Sequence, residues 1–264
     1  MKKLNKYFAN QFTKLLRLLT KYGQTADQET LHKFRITIKK IKSLYRLINF
    51  CDNTFNYRKQ FNPLKKIFAD AGIIRNMYIA EKLINELEME FKSEDISFNS
   101  DPDKRKENIS SFIKRISSFQ KIIYRKYSDT EKYLINVSTE CFKEYSLTRL
   151  TDLKNMIYPE LNEAGLHDAR KICKEIIFLN EMDGKAKKNI DPFYDRLQEM
   201  IGEWHDKSDL LKLINEHNRN SGSIKTKKFK EQIQQDITSI NELVHDHYNK
   251  AEEDKLHFVL KSER

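Results

Sequence analysis

Residues 31–48 read LHKFRITIKKIKSLYRLI. Leu31, Phe34, Ile38, Ile41, Tyr45 and Ile48 recur every three or four residues, the spacing that aligns side chains on one face of an α-helix. His32, Arg35, Lys39, Lys42 and Arg46 keep the same rhythm one residue later, with Lys40 beside them. One residue is a rotation of about 100°. The stretch is therefore a helix with an apolar seam for a core and an adjoining seam of positive charge. The charged seam runs from residue 32 to residue 46, about 21 Å at 1.5 Å per residue. No acidic residue lies between Glu29 and Asp52. A merely solvated helix face usually mixes signs, because Glu–Lys pairs four apart stabilise by a few tenths of a kcal/mol and like charges repel by as much. The stripe disfavours the isolated helix, and an anionic partner explains its presence.

The rest of the chain extends the helical reading. Of 264 residues, 33% are charged, and only 6 are Gly and 4 Pro, so turn formers are scarce. No run of alternating apolar residues is bounded by turn signals, which excludes a substantial sheet and predicts an all-α fold. A hydrophobic content of 39% with 11% aromatics supplies a core. No apolar stretch approaches the roughly 18 residues of a membrane span, so no membrane partner is expected. The basic N-terminal stretch MKKLNKYFANQFTKLLRLLTKYG is interrupted by Lys14, Arg17 and Lys21 and reads as an amphipathic helix rather than a signal peptide. Cys51, Cys141 and Cys173 are odd in number and far apart, which predicts no disulfide or zinc framework and suits a reducing cytoplasm. The charge is uneven: residues 1–80 hold 17 Lys and Arg against 4 Asp and Glu, and the remainder holds 32 against 35. A first third this basic attracts polyanions.

Turn signals divide the chain into helices at about 3–22 (with Gly23 as the stop), from Thr25 or Asp27 to Cys51, at 57–92 with bends at Pro63 and Gly72, and at 104–126. A polar loop covers 92–108, a less regular helical stretch covers 130–163, and a last helix at 225–250 follows the loop NRNSGS. Residues 166–180, LHDARKICKEIIFLN, echo 31–45, with His167, Arg170 and Lys174 at the positions of His32, Arg35 and Lys39. Residues 201–213 echo 71–83, pairing Gly202 with Gly72, His205 with Arg75 and Asp206 with Asn76. Two landmarks in the same order predict a duplicated helical unit. The expected architecture is two pseudo-repeated four-helix bundles packed together, 1–130 and 131–264.

On these residues the chain resembles the CHAD family, the conserved-histidine α-helical domain. The resemblance is strongest over 31–83 and 166–213. Its first signature, a His with Arg at +3 and basic residues at +7, +8, +10 and +14, is complete in His32, Arg35, Lys39, Lys40, Lys42 and Arg46. The second is depleted: His167, Arg170 and Lys174 match, Lys171 adds a basic group, and Glu175, Ile177 and Phe178 depart. The family's Arg-Asp after a Gly turn appears as Arg75-Asn76 and more loosely as His205-Asp206. The resemblance implies paired four-helix bundles that bind inorganic polyphosphate on basic surfaces without catalysis or cofactor. The expected location, from the cysteine usage, is the cytoplasm, in association with polyphosphate granules. The implied binding residues are His32, Arg35, Lys39, Lys40, Lys42, Arg46, Arg75, His167, Arg170, Lys171 and Lys174.

Two other functions compete. Basic helical stripes also bind nucleic acid, but the stripe itself carries no aromatic for base stacking. The string EMEFK at 88–92 matches the ExExK of triphosphate-tunnel enzymes, which would make Glu88 and Glu90 the catalytic groups of a metal-dependent tripolyphosphatase. There the string lies on a strand, whereas here it ends a helical run and Glu88 and Lys92 form an ordinary i, i+4 pair. His245 and His247 are about 200° apart on a helix and do not share a metal, and His205-Asp206 reads as structural. No P-loop, nucleophile elbow or HExxH occurs, and no obligate protein partner is evident.

Overall fold

A computed structural model describes the backbone of residues 2–91, 102–184, 191–217 and 224–262. Side chains are described over 2–79, 81–82, 103–184, 191–209, 211–212, 227 and 229–250. The described residues are helical throughout: α1 (Lys2–Thr25), α2 (Gln28–Cys51), α3 (Tyr57–Phe91), α4 (Pro102–Lys114), α5 (Ile116–Glu131), a short 3-10 turn (Leu134–Asn136), α6 (Thr139–Ile157), α7 (Glu163–Met182), α8 (Pro192–His217) and α9 (Ile224–Ser262). The all-α class is as expected. The chain divides into two compact units, Met1–Tyr145 with Met182–Gly184, and Ser146–Glu181 with Lys185–Arg264.

In the first unit α1 packs on α2 and α5, α2 on α3, and α3 on α4 and α5. Since α4 and α5 are successive pieces broken at Arg115, the pairings close a ring of four helical rods. The apolar seam of α2 lines it: Leu31, Phe34, Ile38, Ile41, Tyr45 and Ile48 are all at most 1% exposed. Facing it, α1 buries Leu4, Tyr7, Phe8, Phe12, Leu15, Leu18, Leu19 and Tyr22. Phe112 links the rods, with its ring centroid 5.6 Å from Tyr22, 6.4 Å from Phe34 and 5.1 Å from Phe119. Each such buried ring contributes about 2–3 kcal/mol through area removed from water.

Several boundaries depart from the sequence reading. The first helix passes Gly23 and ends at Thr25, where Ala26 takes a positive φ of 47°. Gly23 instead serves close packing, because a Cβ there would lie 2.6 Å from Cδ1 of Ile116. Asp27 caps α2, its carboxylate accepting from the Thr30 amide at 2.7 Å. As expected, α3 is one continuous helix from Tyr57 to Phe91 that includes Pro63 and Gly72. The rod expected at 104–126 is two helices, α4 and α5. The last helix begins at Ile224 and extends to Ser262. The loop expected at 92–108 lies outside the described residues over 92–101, as does NRNSGS at 218–223.

The cysteine reading needs correction. Cys51, the last residue of α2, is disulfide-bonded to Cys141 in the first turn of α6, and Cys173 alone remains a thiol, buried in the second unit. A separation of 90 positions in sequence hid this pairing. Spacing alone does not reveal which side chains a helical fold brings together. The bond also removes the premise for a reducing cytoplasm, since disulfides persist in oxidising surroundings. Beside it, Asp52 accepts from the Thr54 hydroxyl at 2.6 Å and from Nδ2 of Asn136 at 2.6 Å, which hold its carboxyl below the usual range. Phe50 and Tyr145 pack with ring centroids 5.1 Å apart. These links keep the start of α6 with the first unit, so the division falls after Tyr145 where the sequence suggested residue 130.

Candidate functional site

The basic stripe of α2 lies along the seam with α3. His32, Arg35, Lys39, Lys40, Lys42 and Arg46 are all half-buried, while Arg58, Lys59, Lys65 and Lys66 of α3 are exposed. Arg35 reaches across the seam. Its Nη1 donates to the Phe68 carbonyl at 2.6 Å, and its Cζ sits 3.9 Å from the centroid of the Phe68 ring. Lys39 Nζ lies 5.8 Å from the same ring, and Lys42 Nζ lies 5.9 Å from the ring of Phe61, seven residues earlier on α3. Cations on aromatic faces gain about 0.5–2 kcal/mol each, and the rings fix where the alkyl stems lie.

Gly72 makes the crossing of Arg35 feasible. A Cβ on it would stand 2.5 Å from Nη1 of Arg35, so the guanidinium occupies the space a side chain would take. Burial, and then the neighbouring charge of Arg75, push Arg35 down to about 10, which still leaves it charged at neutral pH. Arg75 is half-buried, and its Nε is buried and donates to no described residue. Arg75 lies near enough for its charge to act on Arg35, and with its unaccepted Nε donor this pair of cations favours an oxyanion.

The second unit repeats part of this geometry. Arg170 on α7 lies over Gly202 of α8, where a Cβ would stand 2.7 Å from its Nη2. Burial lowers Arg170, an effect that Asp206 opposes. Its Nε is likewise buried without a hydrogen bond to a described residue. His167 and Lys171 are exposed and Lys174 is half-buried. Lys171 is paired with Asp168 at 2.8 Å.

Sequence reasoning matched Gly72 with Gly202 and Arg35 with Arg170 but read Gly72 as a bend and not as room for a guanidinium. Coincident His-x-x-Arg and Gly landmarks were the available signal for this contact. It also set aside His205, whose ring lies 5.3 Å from that of His167. Of the other histidines, His247 stacks on Phe193 at 3.7 Å and His245 lies 5.8 Å from Tyr158. In α3, Glu88 and Glu90 occupy helical backbone, and Lys92 lies outside the described residues. An open cavity of 610 Å³ beside α9, lined by Leu161, Asn241 and His245 among others, includes none of the predicted site residues.

Among the described residues, no cluster of three or more His, Cys, Asp or Glu is placed to hold a metal ion, and no helix is long and apolar enough to cross a membrane. No protein-family model, curated protein or solved structure matches the chain.

Proposed function

We propose that this protein binds inorganic polyphosphate, without hydrolysing it, along the seam between α2 and α3. The observation that carries the reading is the acid-free run from His32 to Arg46 together with Arg75 beside Arg35. A chain of phosphates presents a charge at every unit, and a line of cations about 21 Å long offers such a ligand several contacts along its length. Each contact is weak, and together they bind by releasing counterions and by multivalency. The resemblance to the CHAD family supports the same ligand, as does the recurrence of the Arg-over-Gly contact in both units. Association with polyphosphate granules follows from this binding.

Arg35 is also a packing residue, so the test leaves it in place. Replacing Lys39, Lys40, Lys42 and Arg46 together with Gln is expected to weaken polyphosphate binding by at least about a hundredfold at physiological salt with helicity retained. Titration calorimetry and circular dichroism measure the two quantities. Competition against single-stranded and duplex nucleic acid is expected to favour polyphosphate. Undiminished binding by the variant, or preference for nucleic acid, overturns the proposal.

A further inference from the structure

The disulfide of the first unit joins opposite ends of two helices. Cys51 is the last residue of α2, and Cys141 lies in the first turn of α6. Both cysteines are half-buried. Exposed Asn53 and Thr54 follow the one, and exposed Ser138, Thr139 and Glu140 precede the other, so a small solute reaches the pair.

The two sulfurs are unequal in how well each bears negative charge. A helix gathers partial positive charge at its first amides and partial negative charge at its last carbonyls. Cys141 stands at a positive end and Cys51 at a negative one. Ser138 Oγ accepts from the Cys141 amide at 3.0 Å and fixes that residue at the start of α6. Each cysteine has one carboxylate as its chain neighbour. Asp52, beside Cys51, is held by the Thr54 hydroxyl and by Nδ2 of Asn136, both neutral donors. Glu140, beside Cys141, is bonded to its own amide and to Ser138 and is also faced by the cation Lys143. The carboxylates therefore leave the difference between the helix ends in place. In thiol–disulfide exchange a thiolate attacks one sulfur and the other leaves with the bonding pair. The sulfur that bears the charge better leaves faster.

We propose that Cys51–Cys141 is an exchange site for low-molecular-weight thiols, attacked at Sγ of Cys51 with Cys141 as the leaving group. The electron pair of the incoming thiolate forms a new S–S bond to Cys51. The old S–S bond breaks, and its pair departs on Cys141 as thiolate. A second thiolate attacks the small-molecule sulfur of this mixed disulfide and releases Cys51. In sum, two small thiols become one disulfide, and the protein bond takes up their two electrons and two protons.

The opened site stays together. Ahead of Cys141, Leu134 and Val137 are buried and Asn136 is bonded to Asp52, and behind it Tyr145 is buried with its ring beside Phe50. On the side of Cys51, Ile48 is buried, and the Phe55 ring lies 5.4 Å from that of Tyr45 and 5.1 Å from that of Tyr133. The separated sulfurs remain neighbours, so the exchange is local and reversible and keeps the helical ring of the first unit. It involves none of the stripe cations.

The test uses the natural full chain, with reduced glutathione as the probe thiol and N-ethylmaleimide as the trap. Chain treated briefly in native buffer is alkylated and digested, and peptide mass spectrometry reads each cysteine. Glutathione is expected on Cys51 with the alkyl label on Cys141, in at least about threefold excess over the reverse. Longer treatment is expected to free Cys51 and Cys141 for alkylation but not buried Cys173, with helicity unchanged by circular dichroism. Oxidised glutathione is expected to restore the bond. Glutathione on Cys141 in equal or greater amount overturns the proposal. So does a bond that resists glutathione until urea unfolds the chain, or one that opens only with loss of helicity. A natural chain whose cysteines are all thiols from the outset overturns it as well. None of these outcomes depends on polyphosphate binding.

Discussion

Replacing Gly72 with alanine would put a methyl carbon 2.5 Å from Nη1 of Arg35 and displace the guanidinium from the Phe68 carbonyl. A hydrogen bond from a charged donor contributes about 1.5–3 kcal/mol, and the better helix propensity of alanine returns about 1 kcal/mol. Gly72→Ala is therefore expected to destabilise the natural protein by about 0.5–2 kcal/mol. In an Arg35→Ala background the clash is gone, and the same change is expected to stabilise by about 1 kcal/mol. Urea unfolding of the four proteins measures the reversal, and equal effects in both backgrounds would refute a structural bond between these residues. At this scale the sequence was half legible. Spacing put Arg35 on the charged seam, but a repeat distance in sequence does not show that a guanidinium occupies the space left by a glycine on another helix.

The helices differ in how they were delimited. Asp27 was readable as a cap because a carboxylate just before an apolar run is a local signal, satisfied by an amide three residues on. Arg115 was not, since no Gly or Pro lies near it; there the chain passes from α4, which packs on α3, to α5, which packs on α1 and α3. The disulfide ties the end of the charged helix to α6 across 90 residues. Closing a loop of that length stabilises by about 2–4 kcal/mol, mainly by restricting the unfolded chain. Reduction is accordingly expected to lower the unfolding free energy by about that amount, read as a downward shift of the urea midpoint. Mass spectrometry of alkylated native protein should find no reactive thiol, because Cys173 is buried and its pKa is pushed up to about 12 by that burial. Two or more labelled cysteines before unfolding would exclude the bond.

Across the whole molecule the charge is the readable quantity. The first 80 residues carry the basic excess, and the first unit contains all of them. Binding to a linear polyanion through that excess is expected to weaken linearly in a plot of log affinity against log salt, with a slope of about 0.7–0.9 per phosphate contact. Removing four stripe cations should reduce the slope by about three, measured by titrations at several salt concentrations. A slope unchanged by their removal would place the contacts elsewhere.

By itself the sequence determined the helical class, the buried face of α2 and the run of cations beside it, because each depends on a 3.6-residue period that needs no partner to be read. Only the tertiary structure decided that the charged seam lies against the rings of Phe61 and Phe68, that Arg35 crosses to Gly72, that Cys51 meets Cys141, and that His205 comes beside His167. Each of those joins residues at least 19 positions apart. Their proximity is set by how helices pack, which the hydrophobic period orients but does not register.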